Sequence, residues 1–173
     1  MDKLKVAKIL NSQLNRYKYW IIINENPVTS FKNVNFKTDY KTIPVQDFYK
    51  YKIGICWDFV NYQHSMFKKF KINDESYMII IQKSDKDNDI ITHTFSIIDI
   101  DNDKYWFESS MGGNKGLHKI KSYRDVVNII VSKYNKMDKP HYDVYKYDPS
   151  GLDNKLSNDQ FFKKTTRNLI YNK

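Results

Sequence analysis

Residues 54–60 read Gly-Ile-Cys-Trp-Asp-Phe-Val and contain the only cysteine of the chain. Apolar residues continue at helical spacing after this segment, so a helix is predicted from Cys56 to about Phe70. Cys56 then lies in the first turn, where free backbone N–H groups and the positive end of the helix dipole stabilise a thiolate. Those N–H groups can also donate to an oxyanion. Asp58 suits the same helix start, and we assign it a capping role.

The residues before this segment predict a helix, a short strand, a loop and a second helix. Apolar residues recur at helical spacing from Leu4 to Tyr17, which indicates an N-terminal amphipathic helix. A short strand is predicted over 19–23 and a surface loop over 24–41. Pro44 is expected to open a helix that runs to about Tyr51, and Gly54 is expected to supply the turn before Cys56.

The residues after the cysteine helix predict an antiparallel set of strands followed by helices. Strands are predicted at 77–82, 91–98, 104–109 and 142–147, and helices at about 122–134 and 158–169. The segment 99–103 is rich in Asp and Asn and is typical of a hairpin turn. The chain is therefore predicted to be one α+β domain over 1–173, with its core at about 44–135.

His93 and Glu108 lie on the two arms of this predicted hairpin. His93 is nine residues before Asn102 and Glu108 is six after it, so contact requires a bulge or a diagonal pairing. Taken alone, Cys56 could be a small buried hydrophobe and His93 a hydrogen-bonded core residue. Together they complete a cysteine–histidine–acid site: His93 takes the thiol proton and Glu108 orients the imidazole.

At these residues the sequence resembles the transglutaminase-like superfamily, papain-like cysteine enzymes with a Cys-His-acid triad. The matching positions are Gly54, Cys56, Asp58, Phe59 and Val60, then His93-Thr94-Phe95, then Trp106 and Glu108. The resemblance covers about residues 50–112. Two positions depart from the pattern: the acid is usually Asp, and Phe95 stands where a Trp is usual. The resemblance implies a central cysteine-bearing helix packed on an antiparallel sheet with flanking helices.

The resemblance also implies the chemistry and the roles of the site residues. Cys56 would be the nucleophile, His93 the base and Glu108 the orienting acid of an enzyme that acts on an amide or isopeptide bond through an acyl-enzyme. A protein or peptide substrate is expected, and hydrolysis by a protease, amidase or deamidase is favoured over cross-linking. Papain-like enzymes use an upstream Gln for the oxyanion, which makes Gln46 a candidate; the simpler interpretation is a surface residue.

Because the superfamily includes members that have lost activity, a second hypothesis stays open. The chain would then be an inactive binding protein on the same fold, such as a viral or mobile-element factor that blocks a host protein. A third hypothesis, nucleic-acid binding, starts from the net charge of +9. That charge is spread over the chain, is mostly Lys, and fits an AT-rich genome, whereas base recognition relies on Arg. We therefore expect no nucleic-acid partner.

The composition also limits which other kinds of protein and site the chain could contain. The apolar runs are far shorter than the roughly 18 residues that a membrane span needs, and the N-terminus lacks a signal-peptide pattern, so a cytoplasmic protein is expected. A single cysteine rules out an internal disulfide and a Cys-rich zinc site. His64, His118 and His141 show no ligand spacing, so we expect no metal and no cofactor.

Overall fold

The computed structural model describes residues 2–24, 26–32, 34–83, 90–135 and 137–173. Helices α1 to α5 span Lys3–Leu14, Val45–Tyr51, Cys56–Lys69, Tyr123–Tyr134 and Asn158–Thr165. Strands β1 to β10 span Lys18–Tyr19, Ile21–Ile23, Asn26–Val28, Ile53–Gly54, Asn73–Gln82, Ile90–Ile100, Asp103–Glu108, Gly116–Ile120, His141–Tyr147 and Leu169–Asn172. Among the described residues, no helix has both the length and the apolar character to cross a bilayer.

A six-stranded sheet in the order β10-β9-β5-β6-β7-β8 forms the centre of the molecule, and all of its neighbouring strands are antiparallel. The β5–β6 ladder runs from the pair Asn73–Asp99 to the pair Gln82–Ile90. Its residues are apolar on both faces, which suits a sheet covered by helices on both sides. The prediction of an α+β domain built on an antiparallel sheet is confirmed.

The sheet separates two sets of buried side chains. On one face, Phe59 and Phe67 of α3 pack with α1, α2, β6 and β7, and the start of α3 packs with β5, β9 and α5. On the other face, Val126 and Ile130 of α4 cover β5, β6 and β7. Each fully buried side chain of this size contributes about 1.5–3 kcal/mol. Because Ala7 and Phe161 are also fully buried, the core extends well beyond the predicted 44–135.

The hairpin between β6 and β7 is tighter than the sequence indicated. Only Asp101 and Asn102 form its turn, both with positive φ, at 52° and 69°. Asn and Asp tolerate this left-handed conformation, which two-residue hairpin turns require. The strands therefore continue to Ile100 and resume at Asp103, with Ser96 paired to Phe107.

Several short strands differ from the predictions. The predicted strand 19–23 is divided: β1 pairs in parallel with β4, and β2 forms a hairpin with β3 inside the predicted loop. The last helix ends at Thr165 rather than near Leu169, and the chain then adds β10 to the sheet edge. Neither β8 nor β10 was predicted, because a short edge strand is fixed by its neighbour and carries little periodicity of its own.

Candidate active site

Cys56 is the first residue of α3, as the sequence predicted, and Asp58 fixes that helix start. The Asp58 carboxylate accepts hydrogen bonds from the N–H of Ile55 at 2.9 Å, the N–H of Ile43 at 2.7 Å and the hydroxyl of Tyr40 at 2.6 Å. Burial raises the pKa of Asp58 to about 6, although these three hydrogen bonds oppose the rise. The predicted capping role is confirmed, and Asp58 also binds the helix tip to residues 40–43.

Gly54 has a different role from the predicted one. It lies in β4 and its φ is not positive, so it makes no left-handed turn. A Cβ atom there would lie 2.6 Å from Cε2 of Phe48 and 2.8 Å from Cβ of Asp58. A side chain at this position would push α2 away from the start of α3, so the glycine permits close packing directly beside the cysteine.

The imidazole of His93 and the carboxylate of Glu108 are in direct contact and both are buried. Nε2 of His93 lies 2.9 Å from Oε2 of Glu108. Oε1 of Glu108 accepts three further hydrogen bonds, from the N–H of Ser110 at 2.7 Å, its hydroxyl at 2.9 Å and the N–H of Met111 at 2.8 Å. Burial raises the pKa of Glu108, but the charge of His93 and these donors outweigh it, so the net shift is downward. Glu108 is therefore held as a carboxylate.

The thiol of Cys56 is close enough to the same imidazole for each group to shift the pKa of the other. Nε2 is occupied by Glu108, which leaves Nδ1 as the ring nitrogen that can exchange a proton with the Cys56 thiol. Burial raises the pKa of Cys56, but the hydrogen bond and charge of His93, helped by Thr94, lower it overall. Burial lowers the pKa of His93, yet Glu108 and Cys56 raise it to about 10. These shifts favour a thiolate–imidazolium pair at neutral pH.

A cleft of about 520 Å³ opens beside this pair. Its lining residues are Tyr19, Ile91, His93, Ser110, Met111, Gly112, Lys115 and Tyr134. Cys56 is only 2% exposed and does not line the cleft itself, but the hydroxyl of Tyr19, which does, donates to its sulfur at 3.8 Å. A larger cavity of about 570 Å³, between residues 22–24 and 38–47, contains none of the three site residues. Of these two cavities, the one that His93 lines is the candidate substrate cleft.

Gln46, the predicted oxyanion candidate, does not join the site. It is exposed on α2, and no hydrogen bond connects it with Cys56, His93 or Glu108 in the described ranges. The turn of α2 that packs on α3 presents Phe48 instead, so Gln46 faces solvent. The simpler interpretation, a surface residue, is the correct one.

His64 forms a second polar cluster on α3, away from the cleft. Its Nδ1 lies 2.9 Å from Oδ2 of Asp74, and its Nε2 lies 3.2 Å from Oγ of Ser150. The sequence of contacts Asp74–His64–Ser150 resembles a serine hydrolase triad. However, the N–H of Ser150 donates to the Asp148 carboxylate at 2.8 Å, and this negative charge would repel an oxyanion formed beside Ser150. We interpret the cluster as an ion pair that joins α3 to β5, with a further contact to Ser150 in the turn after β9.

The remaining histidines and acids form no metal site. His118 contacts the carbonyl oxygen of Asn114 at 2.8 Å, and His141 is exposed at the start of β9. Within the described ranges, no three His, Cys, Asp or Glu residues are grouped as metal ligands would be.

Sequence reasoning missed Tyr19, which contacts Cys56, Ser110, which contacts Glu108, and Tyr40, which contacts the capping residue Asp58. Ser110 carried a usable signal, because it closely follows the proposed acid and a short hydroxyl side chain there can turn back to a carboxylate. Tyr19 and Tyr40 carried none, since they come to the helix tip from distant segments.

No family model, curated protein or solved structure matches the chain. The likeness to the transglutaminase-like superfamily therefore stays a resemblance at the motifs around Cys56, His93 and Glu108.

Proposed function

We propose that the chain is a thiol-dependent acyl-transfer enzyme that cleaves an amide or isopeptide bond in a protein or peptide, using a transglutaminase-like Cys-His-acid site. One observation carries the proposal: the His93 ring is hydrogen-bonded to Glu108 through Nε2, and His93 and the Cys56 thiol are close enough to shift each other's pKa. A structural cysteine needs neither a helix tip nor a charged imidazole. This arrangement supplies a nucleophile, a proton carrier and an orienting acid.

The first half-reaction follows from the positions of these groups. The Cys56 thiolate attacks the carbonyl carbon, and the displaced electron pair moves to the carbonyl oxygen, near the backbone N–H groups at the start of α3. Imidazolium His93 then gives its proton to the leaving nitrogen as the C–N bond breaks. An amine departs and a thioester remains on Cys56.

Water completes the cycle in the second half-reaction. Neutral His93 takes a proton from a water molecule in the cleft, and the resulting hydroxide attacks the thioester. The C–S bond breaks, the acid product leaves and the thiolate–imidazolium pair is restored. Glu108 stays ionised throughout and stabilises the charged imidazole. Hydrolysis is favoured over cross-linking because no feature of the sequence indicates a second site for an amine substrate.

The test uses the reactivity of the single cysteine. Because Cys56 is the only thiol in the chain, every iodoacetamide adduct reports on it. We expect alkylation to be rapid at a pH well below the ordinary cysteine value of about 8.5, and His93→Gln to slow it. The burst of p-nitrophenolate from p-nitrophenyl acetate should vanish in Cys56→Ala and in His93→Gln.

His141→Gln is the matched control, because it removes an exposed imidazole and should leave both reactions unchanged. Circular dichroism checks that each variant is folded. If His93→Gln does not fold, the pH profile of the wild-type chain decides the matter. Alkylation that rises only near the ordinary thiol pKa would contradict the proposal.

One observation favours the alternative of an inactive binding protein on the same fold: Cys56 is only 2% exposed. A substrate reaches the sulfur only if a covering group moves. A Cys56→Ser variant that keeps the biological activity of the chain would support this alternative, and loss of that activity would support the enzyme.

A further inference from the structure

The hydroxyl of Tyr19 lies against the reactive sulfur on the cleft side. It donates to Sγ of Cys56 at 3.8 Å, and Tyr19 lines the cleft together with His93. A carbonyl group that approaches the sulfur from the cleft therefore meets this hydroxyl. The oxygen of that carbonyl is joined to the sulfur through a single carbon once attack has occurred, so it forms close to the Tyr19 O–H.

The backbone and the ring of Tyr19 are both held in place. Tyr19 is the register partner of Gly54 in the parallel β1–β4 ladder, two residues before Cys56. Its ring meets Phe31 edge to face, with centroids 6.2 Å apart. A donor fixed in this way needs little reorganisation when charge develops beside it, which is what makes an oxyanion donor effective.

The Tyr19 hydroxyl also keeps its proton. Tyr19 as a whole is 40% exposed, but its hydroxyl lies against Cys56; loss of solvation there is the main reason that the pKa of Tyr19 is well above its ordinary value, and the neighbouring Cys56 raises it further. The O–H group is therefore available as a donor over the whole range in which the thiolate reacts.

We propose that Tyr19 is a catalytic residue whose O–H donates to the oxyanion formed when Cys56 attacks a carbonyl. In the resting site this O–H is bonded to the sulfur, which carries the negative charge. During attack the charge moves from sulfur to the carbonyl oxygen, and the hydrogen bond moves with it. Tyr19 and the backbone N–H of Cys56 then donate two hydrogen bonds to the oxyanion. Tyr19 thus has the role for which Gln46 was the candidate in the sequence. This inference rests on the proposed function.

Two reagents distinguish an oxyanion donor from a residue that only covers the sulfur of Cys56. p-Nitrophenyl acetate reacts through an oxyanion: the sulfur bonds to the acetyl carbon, the carbonyl electron pair moves to oxygen, and p-nitrophenolate leaves as the C=O bond re-forms. Iodoacetamide reacts with the same thiolate by displacement of iodide at its CH2 carbon, without an oxyanion. Comparing the two rates isolates the stabilisation of the oxyanion from the reactivity of the sulfur.

We expect Tyr19→Phe to slow acetylation of Cys56 by about 100- to 1000-fold, the range for loss of one oxyanion donor, and to leave alkylation nearly unchanged. Tyr19→Leu, which removes the ring as well, should slow acetylation to the same extent and speed alkylation by uncovering the sulfur. Tyr49→Phe is the matched control, because Tyr49 is 63% exposed on α2, and both of its rates should equal those of the wild-type chain.

Equal acetylation rates in Tyr19→Phe and the wild-type chain would overturn this proposal while leaving the proposed function intact. An equal fall in acetylation and alkylation would also overturn it, since Tyr19 would then act only through ionisation of the thiol. A wild-type chain without any acetyl burst would remove the proposed function and this inference together.

Discussion

Glu108 contacts His93 along a diagonal of the β6–β7 hairpin rather than as its cross-strand partner. The ladder pairs Ser96 with Phe107, so the next position along places Phe95 opposite Glu108, with His93 two residues further. A carboxylate on a long side chain spans this offset and reaches Nε2 at 2.9 Å. This relationship gives a physical reason for the departure from the usual Asp, because Glu108 is longer by one methylene group.

Shortening or neutralising Glu108 therefore has distinct consequences. Glu108→Gln can present its oxygen to the donors of Ser110 and Met111, but its amide then faces Nε2 of His93 and forces the ring proton onto Nδ1. That tautomer cannot take the thiol proton, so the acyl-transfer rate should fall by about 10²- to 10⁴-fold.

Glu108→Asp keeps the negative charge but places the carboxylate farther from Nε2 of His93, so it should retain more activity than Glu108→Gln. Steady-state kinetics of both variants, with unfolding curves as a check, measure the difference. Equal activity in Glu108→Gln and the wild-type chain would show that the carboxylate does not orient His93.

The pH profile of the site should form a broad plateau. The pKa of Cys56 is lowered, so activity should rise on the acid side as the thiolate forms. The pKa of His93 is raised to about 10, so turnover of an amide should fall as pH passes that value, because neutral imidazole cannot protonate the leaving amine.

The alkaline decrease should be absent in the p-nitrophenyl acetate burst, since p-nitrophenolate leaves without a proton. Rates of both reactions measured across the pH range test this difference. A decrease at the same pH in both reactions would indicate unfolding or another titrating group.

Asp58→Asn should destabilise the chain by about 1–3 kcal/mol. The carboxylate accepts from Tyr40, Ile43 and Ile55, and an amide would turn its own N–H groups toward at least one of these donors. Urea unfolding at neutral pH measures the change in the free energy of unfolding. Asp159→Asn is the control, because Asp159 is an exposed acid in the first turn of α5 and should change stability by only a few tenths of a kcal/mol.

The His64–Asp74 pair should make stability depend on pH. The hydrogen bond that His64 Nδ1 donates to the Asp74 carboxylate is the main reason that the pKa of His64 is raised. Because the folded value exceeds the unfolded value of about 6.5, the stabilisation is complete below that pH and is lost as pH rises through the folded value.

His64→Gln should therefore reduce the free energy of unfolding at about pH 5.5, by no more than about 1 kcal/mol for a partly exposed pair, and reduce it less at about pH 9. The exposed His141, replaced by Gln, is the control and should show no such pH dependence. A larger loss at high pH than at low pH would contradict the assignment.

Local features of the sequence determined the parts of the site that depend on neighbours in the chain. The helix that starts at Cys56, the cap at Asp58 and the strands that carry His93 and Glu108 each follow from short-range periodicity and from residues two to four positions apart. Because those rules act within one turn or one hairpin, the sequence alone predicted which elements carry Cys56, His93 and Glu108.

Tertiary structure alone decided what surrounds the sulfur. Tyr19 reaches Cys56 only because β1 pairs with β4, and Gln46 turns to solvent because Phe48 occupies the inner face of α2. The edge strands β8 and β10 likewise follow from pairing with distant neighbours. Such contacts depend on how separate elements pack against each other, and no periodicity within one segment records which other segment it will meet.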